Sequence, residues 1–346
     1  MLLALSENQT DMTHLHIVGS GAIGGLLAAG AEKHQIAYTR YPRSHCDTTA
    51  HAKATTVPSK AIWLDGHTFS LRGAIASPTA IESDHVLIIP LKVYQLESAL
   101  RQWQPFLQAK PVIVLLQNGM GGQEIARELL GNDYPLLLAT TSHGALKKKV
   151  DDTEQHLVYT GLGNTALGSV QHPNLSALNE LLNADDLLKT HHLPHSDNES
   201  RKLLTAYNLL NRALPPVTIS NNILHALWNK LAINAVINPL TALNNVANLA
   251  ICDESYSELL HDICQEFVDV AKACGEHFEL CDIKANVLQV AKATGSNFSS
   301  MHQDVQYKRQ TEIDAINGYI VSMAKKKGIS VPTNTLLVER VKALLV

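Results

Sequence analysis

Short runs of consecutive apolar residues recur through the first half of the chain and are separated by stretches with helical spacing. Runs of this kind are typical of parallel strands that are covered by helices on both faces of a sheet. The pattern predicts strands at residues 15–18, 35–39, 86–91, 112–116 and 136–139. We therefore expect residues 13–195 to form an α/β domain with a mostly parallel sheet.

The pattern changes after the polar stretch HHLPHSDNES at residues 191–200, because strand-like runs disappear beyond it. Apolar residues then recur with the spacing of amphipathic helices, which are predicted at residues 201–214, 222–248, 255–274, 284–294, 301–327 and 334–345. Residues 196–346 are thus expected to form an all-α domain, and 346 residues are enough for two domains. Residues 1–12 are expected to be a disordered extension.

A glycine-rich turn follows the first predicted strand. It reads Gly19-Ser20-Gly21-Ala22-Ile23-Gly24 and stands between a strand and a helical stretch, the context of the dinucleotide-binding fingerprint. Gly19 permits the tight turn, Gly21 lets the backbone approach a pyrophosphate, and Gly24 lets the helix pack on the strand. The free N–H groups of the helix start would hold the anion. The first domain is therefore predicted to be of Rossmann type and to bind a dinucleotide through residues 19–24.

The residue after the second predicted strand indicates which dinucleotide is bound. Folds that prefer NAD usually place an acidic residue there, where it binds the ribose 2′-hydroxyl. This chain has Arg40 at that point, with Arg43 nearby. Because a guanidinium pairs with a 2′-phosphate, we predict that the cofactor is NADP(H).

Polar residues also follow the third and fourth predicted strands. Lys92 comes directly after residues 86–91, and Asn118 lies close behind residues 112–116. Ligands of open α/β sheets bind beyond the carboxyl ends of the strands. Each residue alone is typical of an ordinary loop, whereas the two together also fit a cofactor site, and both interpretations stay open at this point.

The apolar segment WNKLAINAVINPL, residues 228–240, carries three polar side chains at intervals of four residues. On a helix each such step overshoots a full turn by only about 40°, so Lys230, Asn234 and Asn238 share one stripe. The stripe faces either water at the edge of the domain or a ligand. Pro239 lies in the same helix and is expected to kink it just after Asn238.

A second group of polar residues lies around a predicted helix start. Ser300 and Gln303 have the spacing of a capping box, so Ser300 is expected to cap the helix or, with Asn297 close by, to bind a carboxylate. Glu312 lies twelve residues further on. This is about 18 Å along an ideal helix, so Ser300 and Glu312 do not both reach one small molecule unless the helix bends.

Charge and cysteine content exclude several classes of protein. The chain has 28 basic and 32 acidic residues, which argues against a nucleic-acid partner. Five cysteines without a C-x-x-C pair, and histidines without ligand spacing, indicate a reducing cytoplasm and no metal site. No apolar run approaches the length that spans a bilayer, so no membrane association is expected.

Six motifs, in order and spacing, resemble the ketopantoate reductase (2-dehydropantoate 2-reductase) family: GSGAIGG, LKVYQ with Lys92, QNGMG with Asn118, TTSHGA with Gly144, WNKLAINAVINPLTAL and SSMHQDVQYKRQTEIDAING. The resemblance runs from His14 nearly to the end of the chain. It implies a Rossmann domain, a helical domain, and NADPH-dependent reduction of 2-dehydropantoate to pantoate for pantothenate and coenzyme A synthesis. A small 2-oxo acid would be the only substrate, and the protein a monomer or homodimer.

The resemblance also implies roles for individual residues. Lys230 matches the catalytic lysine and Glu312 the active-site glutamate, while the substrate would be held by Asn234, Asn238, Asn248, Asn297 and Ser300. Arg40 falls at the arginine of the 2′-phosphate, and Lys92, Asn118 and Gly144 would complete the cofactor site. A reductase of another 2-oxo acid with the same architecture, and a non-catalytic NADP(H)-responsive regulator, are alternatives, because fold alone does not fix substrate.

Overall fold

A computed structural model describes residues 13–42, 57–151, 154–170 and 198–345. The predicted extension at residues 1–12, and Arg43, lie outside the described residues. The chain divides into two compact units. The first comprises the described residues up to Leu91, Ser98–Leu116 and Arg127–Asn221, and the second comprises Lys92–Glu97, Gln117–Ala126 and the residues from Asn222 onward.

The boundary between the units lies at Asn221 and Asn222 and not at the predicted residues 195 and 196. Residues 198–213 form a helix, as predicted, but its leucines belong to the core of the first unit. The strand that follows, Val217–Ile219, is hydrogen-bonded into the sheet of that unit. Helical periodicity does not tell which core a helix covers, so the predicted boundary lies too early in the chain.

The first unit is built on a sheet of eight described strands in the order β12-β11-β8-β7-β6-β1-β2-β5. Neighbouring strands are parallel except for β8 and β11, which are antiparallel. The predicted α/β fold with a mostly parallel sheet is thus confirmed. The strands are β1 Leu15–Val18, β2 Tyr38–Tyr41, β3 Lys60–Ile62, β4 Thr68–Ser70, β5 Ala74–Ile75, β6 Val86–Ile89, β7 Val112–Leu116, β8 Leu136–Thr141, β9 Gly144–Lys149, β10 Gln155–Gly161, β11 Thr165–Gly168 and β12 Val217–Ile219.

A second, four-stranded sheet in the order β4-β3-β10-β9 was not predicted from the sequence. Its strands are short or partly exposed, so they lack the continuous apolar runs by which the other strands are recognised. The glycine-containing segment at residues 161–168 connects the two sheets, because β10 ends at Gly161 and β11 begins at Thr165. The strand β11 pairs with β8 and not with β10.

The helices before Asn222 are α1 Ala22–Lys33, α2 Val93–Trp103, α3 Gly122–Leu130 and α4 Asn198–Ala213. The helices after it are α5 Ile223–Asn244, α6 Ser257–Ala273, α7 Leu280–Ala293, α8 Ser300–Gln306, α9 Asn317–Lys327 and α10 Pro332–Ala343, which confirms the predicted helical region. One apolar core lies among these later helices, with Phe267, Val236 and Ile263 nearly inaccessible to solvent. Among the described residues, no helix is long and apolar enough to cross a membrane.

The long helix predicted over residues 301–327 is interrupted. It ends as α8 at Gln306, and Lys308 takes a positive φ of 52°. A short 3-10 turn at Ile313–Ala315 precedes α9. The exposed run from Gln306 to Gln310 has no apolar face to continue the helix. The distance of about 18 Å expected between Ser300 and Glu312 assumed one straight helix and therefore does not apply.

Pro239 lies inside α5 and has no N–H to donate to the carbonyl of Ala235, four residues earlier. The side-chain amide of Asn317 donates to that oxygen instead, at 2.9 Å, and also to the Asn334 side-chain oxygen at 2.9 Å. Asn317 is fully buried. A buried carbonyl needs a partner, so one side chain from α9 stabilises the interruption and joins α5, α9 and α10.

Candidate active site

The glycine turn of the first unit has the geometry that its sequence predicts. Gly19 has a φ of +97°, which favours glycine. A Cβ added to Gly24 would lie 2.7 Å from the carbonyl oxygen of Gly19. These two positions exclude larger side chains for steric reasons within the turn itself, so the close packing of α1 on the turn requires both glycines.

Gly21 is different, because a Cβ at this position would meet no atom within 4 Å among the described residues other than its chain neighbours. It is the N-cap of α1, no side chain caps the helix there, and the first turn carries no acidic residue. Ser20, Ala22 and Ile23 are only partly buried. The first N–H groups of α1 therefore remain available for an anion, and the missing side chain leaves room for one. These features fit the pyrophosphate of a dinucleotide.

Arg40 does not present its guanidinium to a phosphate. Its Nη1 donates to the carbonyl of Pro58 at 2.7 Å, and its Nη2 donates to those of Leu71 and Gly73, both at 3.2 Å. The residue is 6% exposed, and burial lowers its pKa. The predicted contact with a 2′-phosphate is therefore not supported, since it would have to break these hydrogen bonds.

Gly144 begins β9, opposite Gly161 of β10. A Cβ at Gly144 would lie 2.8 Å from the Thr160 hydroxyl oxygen, so close strand packing alone accounts for this glycine. Its predicted part in cofactor binding stays a prediction.

In the second unit, the polar stripe lies on α5, which Asn222 caps by accepting from the His225 N–H at 3.1 Å. Lys230 and Asn234 are partly buried, and Asn238 is 5% exposed. Four-residue spacing places the three side chains along one side of the helix. The charged end of the stripe is Lys230, and it is coupled electrostatically to Glu312.

The charges of Lys230 and Glu312 interact with each other, and the pKa values of both groups are shifted. Burial lowers the pKa of Lys230 to about 8, although the nearby Glu312 carboxylate acts in the opposite direction. Burial also raises the pKa of Glu312 to about 7. Both pKa values therefore lie close to neutral pH, whereas an ordinary lysine and an ordinary glutamate are both fully charged at that pH. Oε1 of Glu312 is buried and has no hydrogen-bond partner within the described residues.

Lys92 belongs to the same group of charges. Its ammonium donates to the Asp304 carboxylate and, at 3.2 Å, to the carbonyl of Gln310. Arg309 Nε binds the other oxygen of Asp304 at 3.1 Å. Asp304 was not predicted from the sequence, because a single acid on a short helix carries no pattern. The charge of Lys92 also acts on Glu312, and the predicted contact of Lys92 with cofactor stays a prediction.

Ser299, and not Ser300, caps α8. Its hydroxyl oxygen accepts from the His302 N–H at 3.0 Å and from the Thr241 hydroxyl at 2.7 Å. The capping role predicted for Ser300 is wrong by one residue: Gln303 gives Ser300 the capping-box spacing, but the Ser299 hydroxyl caps the helix and is bound in addition by Thr241. Ser300 is the first residue of α8 and is exposed, so its own hydroxyl is not needed for the cap.

Asn248 and Asn297 lie next to each other. The Asn248 N–H donates to the carbonyl of Asn297 at 2.9 Å, and its side-chain amide donates to the Thr294 hydroxyl at 2.9 Å. Asn248 is 7% exposed, and its Oδ1 is a buried acceptor without a partner in the described part of the chain. Such an atom is costly to leave unpaired and is suited to accept from a bound hydroxyl.

Asn118 also belongs to the second unit. The Met120 N–H donates to the Ala315 carbonyl at 2.8 Å, and Gly119 has a φ of +80°. A Cβ at Gly119 would lie 2.5 Å from the same carbonyl oxygen. The glycine therefore allows a close backbone contact. This contact holds the partly buried Asn118 near the 3-10 turn that follows Glu312 in the sequence.

Comparison with known proteins identifies the family. Residues 15–172 match the family described as Ketopantoate reductase PanE/ApbA, and residues 222–345 match Ketopantoate reductase PanE/ApbA C terminal. The chain therefore belongs to the ketopantoate reductase family and is an oxidoreductase of that family, which uses a nicotinamide cofactor.

Two curated relatives are named 2-dehydropantoate 2-reductase. The protein of Vibrio cholerae is 35% identical over 266 residues, which is 77% of this chain and 79% of the relative. The protein of Escherichia coli O157:H7 is 30% identical over 329 residues, or 94% of this chain and 93% of the relative. The similarity thus extends across both units.

Solved structures share the fold at lower identity. D-mandelate dehydrogenase with NADH and anilino(oxo)acetate has a TM-score of 0.77 at 20% identity and covers 96% of this chain and 98% of its own. A dimeric ketopantoate reductase from Staphylococcus aureus has a TM-score of 0.70 at 17% identity, with the same coverage of 96% and 98%. The fold alone is therefore compatible with more than one 2-oxo acid substrate.

Proposed function

We propose that this protein reduces 2-dehydropantoate to pantoate with NADPH, as a step of pantothenate and coenzyme A biosynthesis in the cytoplasm. The observation that carries the proposal is the pairing of Lys230 with Glu312, whose pKa values are shifted to about 8 and about 7. A buried lysine that loses its proton near neutral pH is suited to general acid catalysis. The similarity to curated 2-dehydropantoate 2-reductases supports the same reaction.

The chain's part in this reaction is to stabilise and protonate the ketone oxygen. The nicotinamide supplies a hydride to the ketone carbon when it is bound. Negative charge then builds on the oxygen, and Lys230 is proposed to hydrogen-bond that oxygen and give it a proton. This transfer leaves Lys230 as a neutral amine. Protonated Glu312, whose pKa is raised to about 7, is proposed to return a proton to the amine and then to take one up from solvent before the next turnover.

The remaining polar residues of the second unit are proposed to recognise the two ends of the substrate. Asn234 and Asn238 continue the stripe from Lys230 and bind the terminal hydroxyl without adding charge. The exposed Ser300 hydroxyl, at the start of α8, and Asn297 bind the carboxylate. Asn248 is proposed to accept a hydrogen bond from the substrate through its Oδ1, which has no partner among the described residues. A substrate without the hydroxyl would leave buried amides unpaired and would be reduced poorly.

NADPH remains our proposal for the cofactor, held by residues 19–24 of the glycine turn. The sequence TRYPRS at residues 39–44 contains no acidic residue that would bind a ribose 2′-hydroxyl. Gly21 and the uncapped start of α1 provide the site for the pyrophosphate. The assembly is proposed to be a monomer or a homodimer.

The experiment is to follow NADPH oxidation by purified protein with 2-dehydropantoate, with its analogue lacking the terminal hydroxyl, and with a panel of other 2-oxo acids. We expect a higher kcat/KM for 2-dehydropantoate than for the analogue by about 100-fold or more, as is usual when a site loses a hydroxyl partner. Activity restricted to other members of the panel would overturn the proposed substrate. Cofactor binding without oxidation of any member would instead indicate a regulator.

One observation favours a second candidate, an NADH-dependent reductase of another 2-oxo acid. The guanidinium of Arg40 is bound to backbone carbonyls, which removes the main argument for a 2′-phosphate. D-mandelate dehydrogenase, which shares the fold, was solved with NADH. The same assay with NADH and phenylglyoxylate separates the candidates, because the second one predicts higher kcat/KM with this pair than with NADPH and 2-dehydropantoate.

A further inference from the structure

Asp304 has no assigned part in the site, yet it is buried among the site's charges. We propose that Asp304 is a positioning residue, whose carboxylate holds the Lys92 ammonium and whose negative charge acts on the neighbouring Glu312. The kinetic side of this inference rests on the proposed function. The geometric side concerns the second unit alone.

The contacts of Asp304 fix its carboxylate in place. One oxygen accepts from the Lys92 ammonium and the other from Arg309 Nε at 3.1 Å. The backbone N–H of Arg309 also donates to the Asp304 backbone carbonyl at 2.8 Å. This hydrogen bond forms a turn directly after the end of α8. The Asp304 side chain is 6% exposed, whereas that of Arg309 is 55% exposed. Asp304 thus places a carboxylate between two cationic side chains in the site.

Lys92 is in turn held by more than Asp304. Its ammonium and the Tyr94 hydroxyl both donate to the carbonyl of Gln310, each at 3.2 Å. The backbone N–H of Val93 donates to Glu312. Residues 92–94 therefore make three hydrogen bonds to the segment between α8 and the following 3-10 turn, and Asp304 adds a charged contact from α8 itself.

Some of the groups around Glu312 raise its pKa, and others lower it. Burial raises its pKa most, the Lys92 ammonium lowers it, Asp304 raises it, and the Lys230 ammonium and the Val93 N–H lower it. Asp304 therefore acts on Glu312 twice. It repels the ionised carboxylate directly, and it also offsets the charge of the Lys92 ammonium, which the Gln310 carbonyl helps to keep near Glu312. Removing the charge of Asp304 should let Glu312 ionise at lower pH.

The test is to titrate the Glu312 carboxyl by 13C NMR in the full chain without substrate, with the signal assigned from Glu312→Gln. In Asp304→Asn, which keeps the shape but not the charge, we expect the midpoint of Glu312 to fall by ~1 pH unit. Asp304→Glu keeps the charge and should restore most of the wild-type midpoint. Asp314→Asn is the matched control, because Asp314 is an exposed acid that pairs with Lys342, and it should leave the midpoint unchanged.

A second variant moves the midpoint the other way. Lys92→Gln removes the cation that favours ionised Glu312, so the midpoint should rise even if Asp304→Asn fails to fold. An unchanged midpoint in either folded variant would overturn the proposal, as would equal shifts in Asp314→Asn. Because this titration needs no turnover, it remains decisive if 2-dehydropantoate proves not to be the substrate. In active protein, the limb of the pH–rate profile that belongs to Glu312 should move with the NMR midpoint.

Discussion

The glycine turn of the first unit and the charged group of the second are built in opposite ways. The turn is made of backbone within six consecutive residues, and its shape follows from Gly19 and Gly24. The charged group is made of side chains from Lys92, Lys230, Asp304 and Glu312, which are far apart in the sequence. A backbone site depends on local conformation, whereas a side-chain site depends on the packing that brings distant residues together.

The largest expected effect is on Lys230, because the account gives it the proton that the ketone receives. In Lys230→Met, which keeps the length of the side chain, kcat should fall by about 10²–10⁴, the usual contribution of a general acid. Steady-state kinetics would measure this, with Lys272→Met on the exposed surface of α6 as the control. A rise in KM at unchanged kcat would mean that Lys230 only binds substrate.

Asn317 has no proposed contact with substrate or cofactor, but it is expected to stabilise the helix that carries Lys230. Asn317→Ala removes the donor that replaces the missing N–H of Pro239 and leaves the Ala235 carbonyl unpaired. The free energy of unfolding should fall by ~1–3 kcal/mol, the cost of an unsatisfied buried acceptor. Urea unfolding measures it. Asn132→Ala, an exposed asparagine of the first unit, serves as the comparison. Equal stability of Asn317→Ala and wild type would show that water or relaxation replaces the bond.

The smallest effect is expected at the glycine turn, where a substitution separates binding from folding. The Cβ of Gly21→Ala meets no atom of the described residues within 4 Å apart from its chain neighbours, so the melting temperature should hardly change. It occupies the space proposed for the pyrophosphate, and the Kd of NADPH should rise at least tenfold, about 1.4 kcal/mol. Gly24→Ala is the contrasting variant, since its Cβ meets the Gly19 carbonyl and should lower both stability and affinity. Unaltered NADPH affinity in Gly21→Ala would place the pyrophosphate elsewhere.

The glycine turn could be predicted from the sequence because its shape depends only on consecutive residues. Positive φ at Gly19 and the helix that starts after Gly21 follow from the order of residues alone. The stripe of Lys230, Asn234 and Asn238 was also predictable, because helical spacing fixes which side chains share a face. Its chemistry, however, came from family resemblance and not from the spacing.

What the sequence did not predict depends on tertiary contacts. The partners of Arg40 are carbonyls from two later segments, and nothing near Arg40 in the sequence announces them. The pairing of Asp304 with Lys92 is likewise long-range. The cap moved from Ser300 to Ser299 because Thr241, far away in the chain, binds that hydroxyl. Patterns of one segment carry no information about such partners.

The measurement that tests the central claim most directly is the pH dependence of kcat/KM for 2-dehydropantoate, between about pH 6 and about pH 10, in wild type and in Lys230→Arg. Lys230 must be protonated to donate, and its pKa is lowered to about 8, so the wild-type rate should fall about tenfold per pH unit above that value. Arginine stays charged throughout, so any activity of the variant should show no such limb. A wild-type rate that stays constant to about pH 10 would contradict the assignment of Lys230 as the acid.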